Sequence, residues 1–325
     1  MDKIDEILAD NSISEDIRRI INSLSKDGRE ALNSMYDKDS DFCKHAQLNN
    51  IIARFFADPK EYDKLYHYTN RDGLKGILQS HTFYIGSQYF MNDPRENIYV
   101  SELAEKILKK EESASFQEIN DFKKDFYKVK FDLYIWSFTA NDHSQALLSY
   151  GDFALEFENQ ELQKNLSNYF NPNINEFSEF NNGNCYVFPL KVEYDRKIQE
   201  EYIGSVIHTW LGAYRNLEID RNDMDEIINA CYCALNLFAM CFKDPNLRQE
   251  EEIRFVILKQ DEDNKLHPDQ YIGDNHKPVL LFEFQSDLLK KIIYSKKIKD
   301  AEKIKELLNT NDYKNTKVVS TDLPY

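Results

Sequence analysis

Leu65-Tyr66-His67-Tyr68-Thr69-Asn70 (residues 65–70), running on to Leu74, Ile77 and Leu78, reads as a short strand that opens directly into a helix. Leu65, Tyr66 and Tyr68 have the bulk that suits a pleated surface. Thr69 or Asn70 can cap a helix, and Leu74, Ile77 and Leu78 recur at the spacing of one helical face. By period-two alternation His67 and Thr69 share a strand face, and the turn that follows is expected to lift both toward solvent. Such a donor and acceptor pair suits a ribose diol. The plainer alternative is a histidine satisfied by a neighbouring backbone carbonyl.

Outward from this stretch, the 325 residues have room for one large domain with elaborations or for two of ordinary size. A hydrophobic share of 42% with 20 Tyr and 21 Phe excludes disorder for most of the chain. The net charge of -16 argues against steering toward a polyanion. The local basic candidates are Lys123, Lys124, Lys128 and Lys130, and Lys290, Lys291, Lys296, Lys297 and Lys299. Such runs are ordinarily solvated faces.

Five cysteines without a CxxC pair, and no signal-like N-terminus, predict a reduced, cytoplasmic protein. Seven histidines lack HxH or HExxH spacing, so no metal is expected. No apolar run approaches the roughly 20 residues of a membrane span, so no membrane is expected either.

Residues 1–60 carry a helical rhythm and read as a helical N-terminal leader. Residues 61–325 read as one α+β domain, with strands near 64–68, 82–85, 133–138, 152–158, 185–194, 252–258, 278–284 and 291–294. Helical patterns lie near 71–79, 95–111, 117–128, 144–149, 197–217 and 222–242. There is no GxGxxG and no phosphate-loop motif, which argues against a doubly wound dinucleotide fold. The asparagine-rich stretch 168–184 reads as a loop.

Two further elements carry polar chemistry. In Tyr134-Ile135-Trp136-Ser137-Phe138-Thr139, alternation places Ser137 and Thr139 on one face and the aromatics on the other; an edge strand wetted by water is the plain reading. In Glu250-Glu251-Glu252-Ile253-Arg254-Phe255-Val256-Ile257, alternation groups Glu250, Glu252 and Arg254 beside an apolar run. Two carboxylates and an arginine there suit a site that stabilises a developing cation, whereas an exposed ladder would contribute little. Asn92-Asp93-Pro94-Arg95-Glu96 reads as an Asx-type turn with Pro94 at the first helical position.

The order of these elements, a strand histidine, a strand Ser-x-Thr and a strand Glu-x-Glu, resembles the ADP-ribosyltransferase superfamily. A closer resemblance, covering nearly everything after residue 60, is to the bacterial domain-of-unknown-function 2971 family, carried by Tyr66 to Thr69, Asn92 to Glu96, Ser137 to Thr139, Tyr150, Glu250 to Arg254 and Thr321 to Tyr325. Leu148 stands where that family usually has tryptophan, and Ile253 where it has an aromatic residue.

The resemblance implies an ADP-ribosyltransferase-like split β-sheet core with helical insertions, and NAD as substrate. It implies that His67 and Thr69 hold a ribose, that Tyr84 or Tyr89 stacks on nicotinamide, and that Asn92, Ser137, Thr139 and Arg254 complete the binding site. Glu252 would be catalytic, and Glu250 would select a macromolecular acceptor, protein or nucleic acid. A bacterial toxin or antiphage effector, with a possible regulatory protein partner, is the implied setting. The alternatives are a non-catalytic nucleotide- or protein-binding module on the same fold and an NAD glycohydrolase.

Overall fold

A computed structural model describes residues 3–91, 95–110, 113–128, 133–170, 185–259, 268–296, 298 and 301–321. The turn at Asn92, Asp93 and Pro94, most of the asparagine-rich stretch (171–184), Lys130, Lys297, Lys299 and residues 322–325 lie outside the described residues.

The chain begins with helices α1 (Lys3–Ala9), α2 (Glu15–Ser23), α3 (Lys26–Tyr36), α4 (Asp41–Ala46) and α5 (Leu48–Phe55). It continues through β1 (Lys64–Thr69), α6 (Arg71–Ser80), β2 (Thr82–Ser87), α7 (Glu96–Lys110) and α8 (Phe116–Phe126). Next come β3 (Leu133–Thr139), β4 (Phe153–Glu158), α9 (Asn159–Phe170), β5 (Cys185–Lys191), α10 (Arg196–Tyr214) and α11 (Arg221–Cys241). The last elements are β6 (Glu252–Lys259), β7 (Gln270–Ile272), β8 (Lys277–Glu283), β9 (Lys291–Ser295), α12 (Ala301–Thr310) and β10 (Lys317–Thr321). The class is α+β.

These elements sort into two compact units. One comprises Met1–Phe55, Arg95–Phe131 and Glu193–Pro245; the other comprises Phe56–Pro94, Asp132–Val192 and Asn246–Tyr325. The division expected at residue 60 lies close to the end of the first helical segment, but the stretch beyond it also gives two segments to the helical unit. The reason is apolar demand. Helix α10 buries Ile203, Val206, Ile207, Trp210 and Leu211, which wrap around its axis, and a helix apolar on several sides needs partners on each. It finds them in α3, α4, α7 and α11. At its centre the Trp210 indole N–H donates to the Tyr232 hydroxyl at 3.0 Å, and the Phe122 ring meets Trp210 edge-on. On the rim, the Arg215 guanidinium donates to Glu118 at 2.6 Å and pulls its carboxyl down to about 2.

The second unit is built on a sheet that has ten strands among the described residues, in the order β10-β9-β4-β1-β3-β2-β8-β7, with β6 on β3 and β5 on β6. Strand β3 is the branch point. Along one edge it pairs with β6 over its full length, from Leu133↔Leu258 to Thr139↔Glu252. Along the other, β1 meets it at Tyr66↔Thr139 and β2 at Gly86↔Ile135 and Ser87↔Tyr134, so the sheet forks between β1 and β2.

One face of this sheet is the core. Leu65, Phe83, Trp136, Phe138, Phe157, Phe255 and Ile257 pack there with Leu74 and Leu78 of α6, Leu162 and Leu166 of α9, and Ile304 and Leu308 of α12. Each such side chain contributes about 1.5–3 kcal/mol when fully buried, so this face fixes the register of every strand that crosses it. A slip of one residue would turn the polar face of each strand into the core.

Candidate functional site

The opposite face of the sheet collects the polar residues. Residues directly opposite across a strand pair project to the same side, and the registers Lys291↔Glu156, Glu156↔Tyr66, Tyr66↔Thr139 and Thr139↔Glu252 therefore form one row across β9, β4, β1, β3 and β6. Ser137↔Arg254 lies beside it. Thr139, Glu156, Tyr66, Glu252 and Arg254 are all buried. Charges in such a setting need partners. The Arg254 guanidinium, 0% exposed, donates to Glu252 Oε2 at 3.0 Å. Lys291 forms an ion pair with Glu156, which also hydrogen-bonds Tyr66. Burial foremost, then the Glu156 charge, pushes the Tyr66 phenol far above its ordinary range.

The loop after β3 is tied onto this face. The Tyr68 hydroxyl donates to the Asn141 carbonyl at 3.2 Å and accepts from the Ser144 N–H at 2.8 Å. The Asn141 side-chain amide donates to Glu251 at 2.8 Å, and its backbone N–H donates to Thr139 Oγ1. Gly151, at φ 155°, closes the loop against the end of β1, where an added Cβ would stand 2.0–2.2 Å from the Thr69 and Asn70 backbone. A side chain has no room there.

Of the residues expected to form the site, Ser137, Thr139, Glu252 and Arg254 come together. Tyr84 shares their side of the sheet, since Gly86 faces Ile135 and Tyr84 is two residues from Gly86; it is 52% exposed. Tyr89 sits on a 3-10 helix, Gln88–Phe90, with its ring exposed. Asn92 lies outside the described residues.

His67 and Thr69 do not join them, which corrects the expected convergence of His67 with Glu252. Leu155 and Phe153, their partners across β4, belong to the core face. The His67 ring lies among Phe83, Trp136 and Phe138, and its Nδ1 donates to the Ser137 carbonyl at 2.9 Å. Burial lowers its pKa and keeps the imidazole neutral. The alternation of residues 65–69 was right, but the apolar stripe of α6 packs on the face of His67, not on that of the tyrosines.

Glu250 also departs from expectation. It ends a 3-10 helix, Pro245–Glu250, and Glu251 follows at φ 46°, so strand alternation begins only at Glu252. Glu250 is nonetheless buried.

Tyr66, Tyr68 and Glu156 are additions that the sequence reading missed. The signal for them was present in the Tyr-x-Tyr spacing of β1, which sets both rings opposite the face of His67.

Among the described residues no group of three or more His, Cys, Asp or Glu side chains is placed to hold a metal, and no helix is long and apolar enough to cross a membrane. Of the lysines in the two basic stretches, Lys123, Lys128, Lys290 and Lys291 form ion pairs with Glu105, Asp125, Glu161 and Glu156. Comparison of the chain with protein-family models, with curated proteins and with solved structures yields no match.

Proposed function

We propose that this chain is an NAD-consuming ADP-ribosyltransferase with Glu252 as its catalytic carboxylate. The observation that carries the reading is the adjacency of β1, β3 and β6, which sets Tyr66, Thr139 and Glu252 in one cross-strand row with Ser137 and Arg254 beside it. The three elements that resemble the superfamily's order are thus neighbours in space, and the fork of the sheet beside β3 suits a split-sheet core. On the first strand the contact role passes from His67 to the tyrosines.

In the proposed reaction the bond between nicotinamide and ribose breaks and its electron pair leaves on the nicotinamide nitrogen. The positive charge that develops on the ribose is stabilised by the Glu252 carboxylate, which Arg254 holds in place. An acceptor nucleophile then bonds to the anomeric carbon and loses its proton, with Glu250 assigned to the acceptor side. A bacterial toxin or antiphage effector in the cytoplasm is the proposed setting. The thiols of Cys43, Cys231 and Cys233, which form no disulfide, suit a reducing compartment.

One observation favours a second reading. Glu252 is only 6% exposed and Arg254 is 0% exposed, which suits a structural ion pair in a non-catalytic binding module. Incubation with NAD separates the two. The transferase reading expects free nicotinamide by chromatography from wild type and none from Glu252→Gln; nicotinamide at the wild-type rate from Glu252→Gln, or none from wild type given a cell extract as acceptor, rejects it.

A further inference from the structure

On the polar side of the sheet, the Lys277 backbone pairs with Ile272 of β7, while its ammonium makes no hydrogen bond or ion pair among the described residues. Lysines elsewhere on the sheet differ: at β9, five strands away, Lys290 is held by Glu161 and Lys291 by Glu156. Lys277 opens β8, where Val279 faces Gly86, so Lys277 projects to the side of the sheet that bears Gly86, Ile135 and Ser137. Its stem lies across Gly86. A Cβ at that glycine would stand 2.3 Å from Lys277 Cε and 2.7 Å from Nζ, so the missing side chain is what lets the ammonium lie down on the strand.

A half-buried ammonium without a counter-charge is costly, and burial lowers the lysine's pKa with no acidic neighbour among the described residues to offset it. Buried titratable groups with perturbed pKa values cluster at functional sites, and an anionic ligand is one group that would supply the missing charge. Next to it on β2 stands the exposed ring of Tyr84. With strands about 4.8 Å apart and a rise of about 3.3 Å per residue, the ammonium over Gly86 lies roughly 15 Å across the face from Glu252.

We propose that Lys277, seated in the notch at Gly86, binds phosphoryl oxygens of the ligand, and that this ligand is a dinucleotide whose diphosphate lies along β2 beside Tyr84. The choice of dinucleotide rests on the transferase reading. The anion subsite itself rests only on Lys277 and Gly86.

The test is calorimetric titration of the full chain with inorganic pyrophosphate and with ADP-ribose, alongside nicotinamide release from NAD. Losing one charge-assisted contact predicts affinities for both ligands weaker by about tenfold or more in Lys277→Met, with Lys277→Arg staying within a few fold of wild type. Gly86→Ala, which keeps the lysine but fills its notch, should weaken both ligands in the same direction. If wild type binds neither ligand, or if Lys277→Met binds them as wild type does, the subsite is wrong, even where nicotinamide is released and the transferase reading stands. Lys277-dependent binding of pyrophosphate without any nicotinamide release would keep the subsite and discard the transferase.

Discussion

The Nδ1 of His67 donates to the carbonyl of Ser137 at 2.9 Å, across the gap where the sheet forks. Between Ile135 and Thr139 neither β1 nor β2 pairs with that edge of β3, and a buried carbonyl without a partner costs about 1–3 kcal/mol. The imidazole fills the place of a strand. It thereby fixes the one segment of β3 that presents Ser137 beside Arg254.

This role makes His67 a source of pH-dependent stability. Burial holds its pKa below the ordinary value of about 6.5, so the unfolded chain takes up a proton near that pH while the folded chain does not. Stability from this group is fully present above pH 6.5 and is lost as the pH falls toward the folded pKa. His67→Ala should lower the melting temperature at pH 7.5 and flatten its fall between pH 6.5 and 5. A variant as stable as wild type at pH 7.5 would show that the hydrogen bond contributes nothing.

Much of the fold was legible in the sequence. The expected strands near 64–68, 133–138, 252–258 and 291–294 correspond to β1, β3, β6 and β9, because their bulky alternating residues can serve only a half-buried sheet. Helix α9 and strand β10 were missed: α9 runs into the asparagine-rich stretch, and β10 is a short, partly exposed edge. The site was legible in β3 and β6, where alternation alone groups Ser137 with Thr139 and Glu252 with Arg254. In β1 alternation gives two faces and does not say which one a helix will cover. Lys277 carries no sequence signal, since its meaning depends on a glycine 191 positions earlier, from Gly86 to Lys277.

Lys277 predicts a conflict between stability and binding. Its pKa is lowered by burial from an ordinary value of 10.5, so the unfolded chain binds a proton that the folded chain holds less tightly, and stability should rise with pH in the alkaline range just below 10.5. Lys277→Met removes that cost. Its melting temperature should exceed that of wild type at pH 7.5 and lose the alkaline rise, while its affinity for pyrophosphate falls. A melting temperature below wild type would mean that the ammonium is satisfied within the fold.

Gly151 predicts a steric effect. The atoms that its Cβ would meet are the backbone of Thr69 and Asn70, which cannot rotate away, and Asn70 also caps α6 through a 2.8 Å bond from the Gly73 N–H. Gly151→Ala should destabilise the protein by about 1–3 kcal/mol or more in urea unfolding. It should also weaken the protection from hydrogen exchange of the Ser144 amide, which β1 holds through Tyr68. Unchanged stability would show that the loop has another way to close.

The pair Glu252 and Arg254 predicts how to separate chemistry from folding. Removing one partner of a buried ion pair typically costs about 3–5 kcal/mol, while replacing both is often nearly neutral. Glu252→Gln alone should therefore destabilise the protein, because it leaves the Arg254 guanidinium buried beside an amide, and Arg254→Met alone should do the same to the carboxylate. The double variant should recover most of the lost stability, giving a large coupling energy in a double-mutant cycle read by urea unfolding. Catalysis should not recover with it. If Glu252 stabilises the ribosyl cation, the refolded double variant releases no nicotinamide, whereas Arg254→Met, which keeps the carboxylate, retains slow release at a temperature where it is folded. A double variant that is both stable and active would show that Glu252 serves the fold alone.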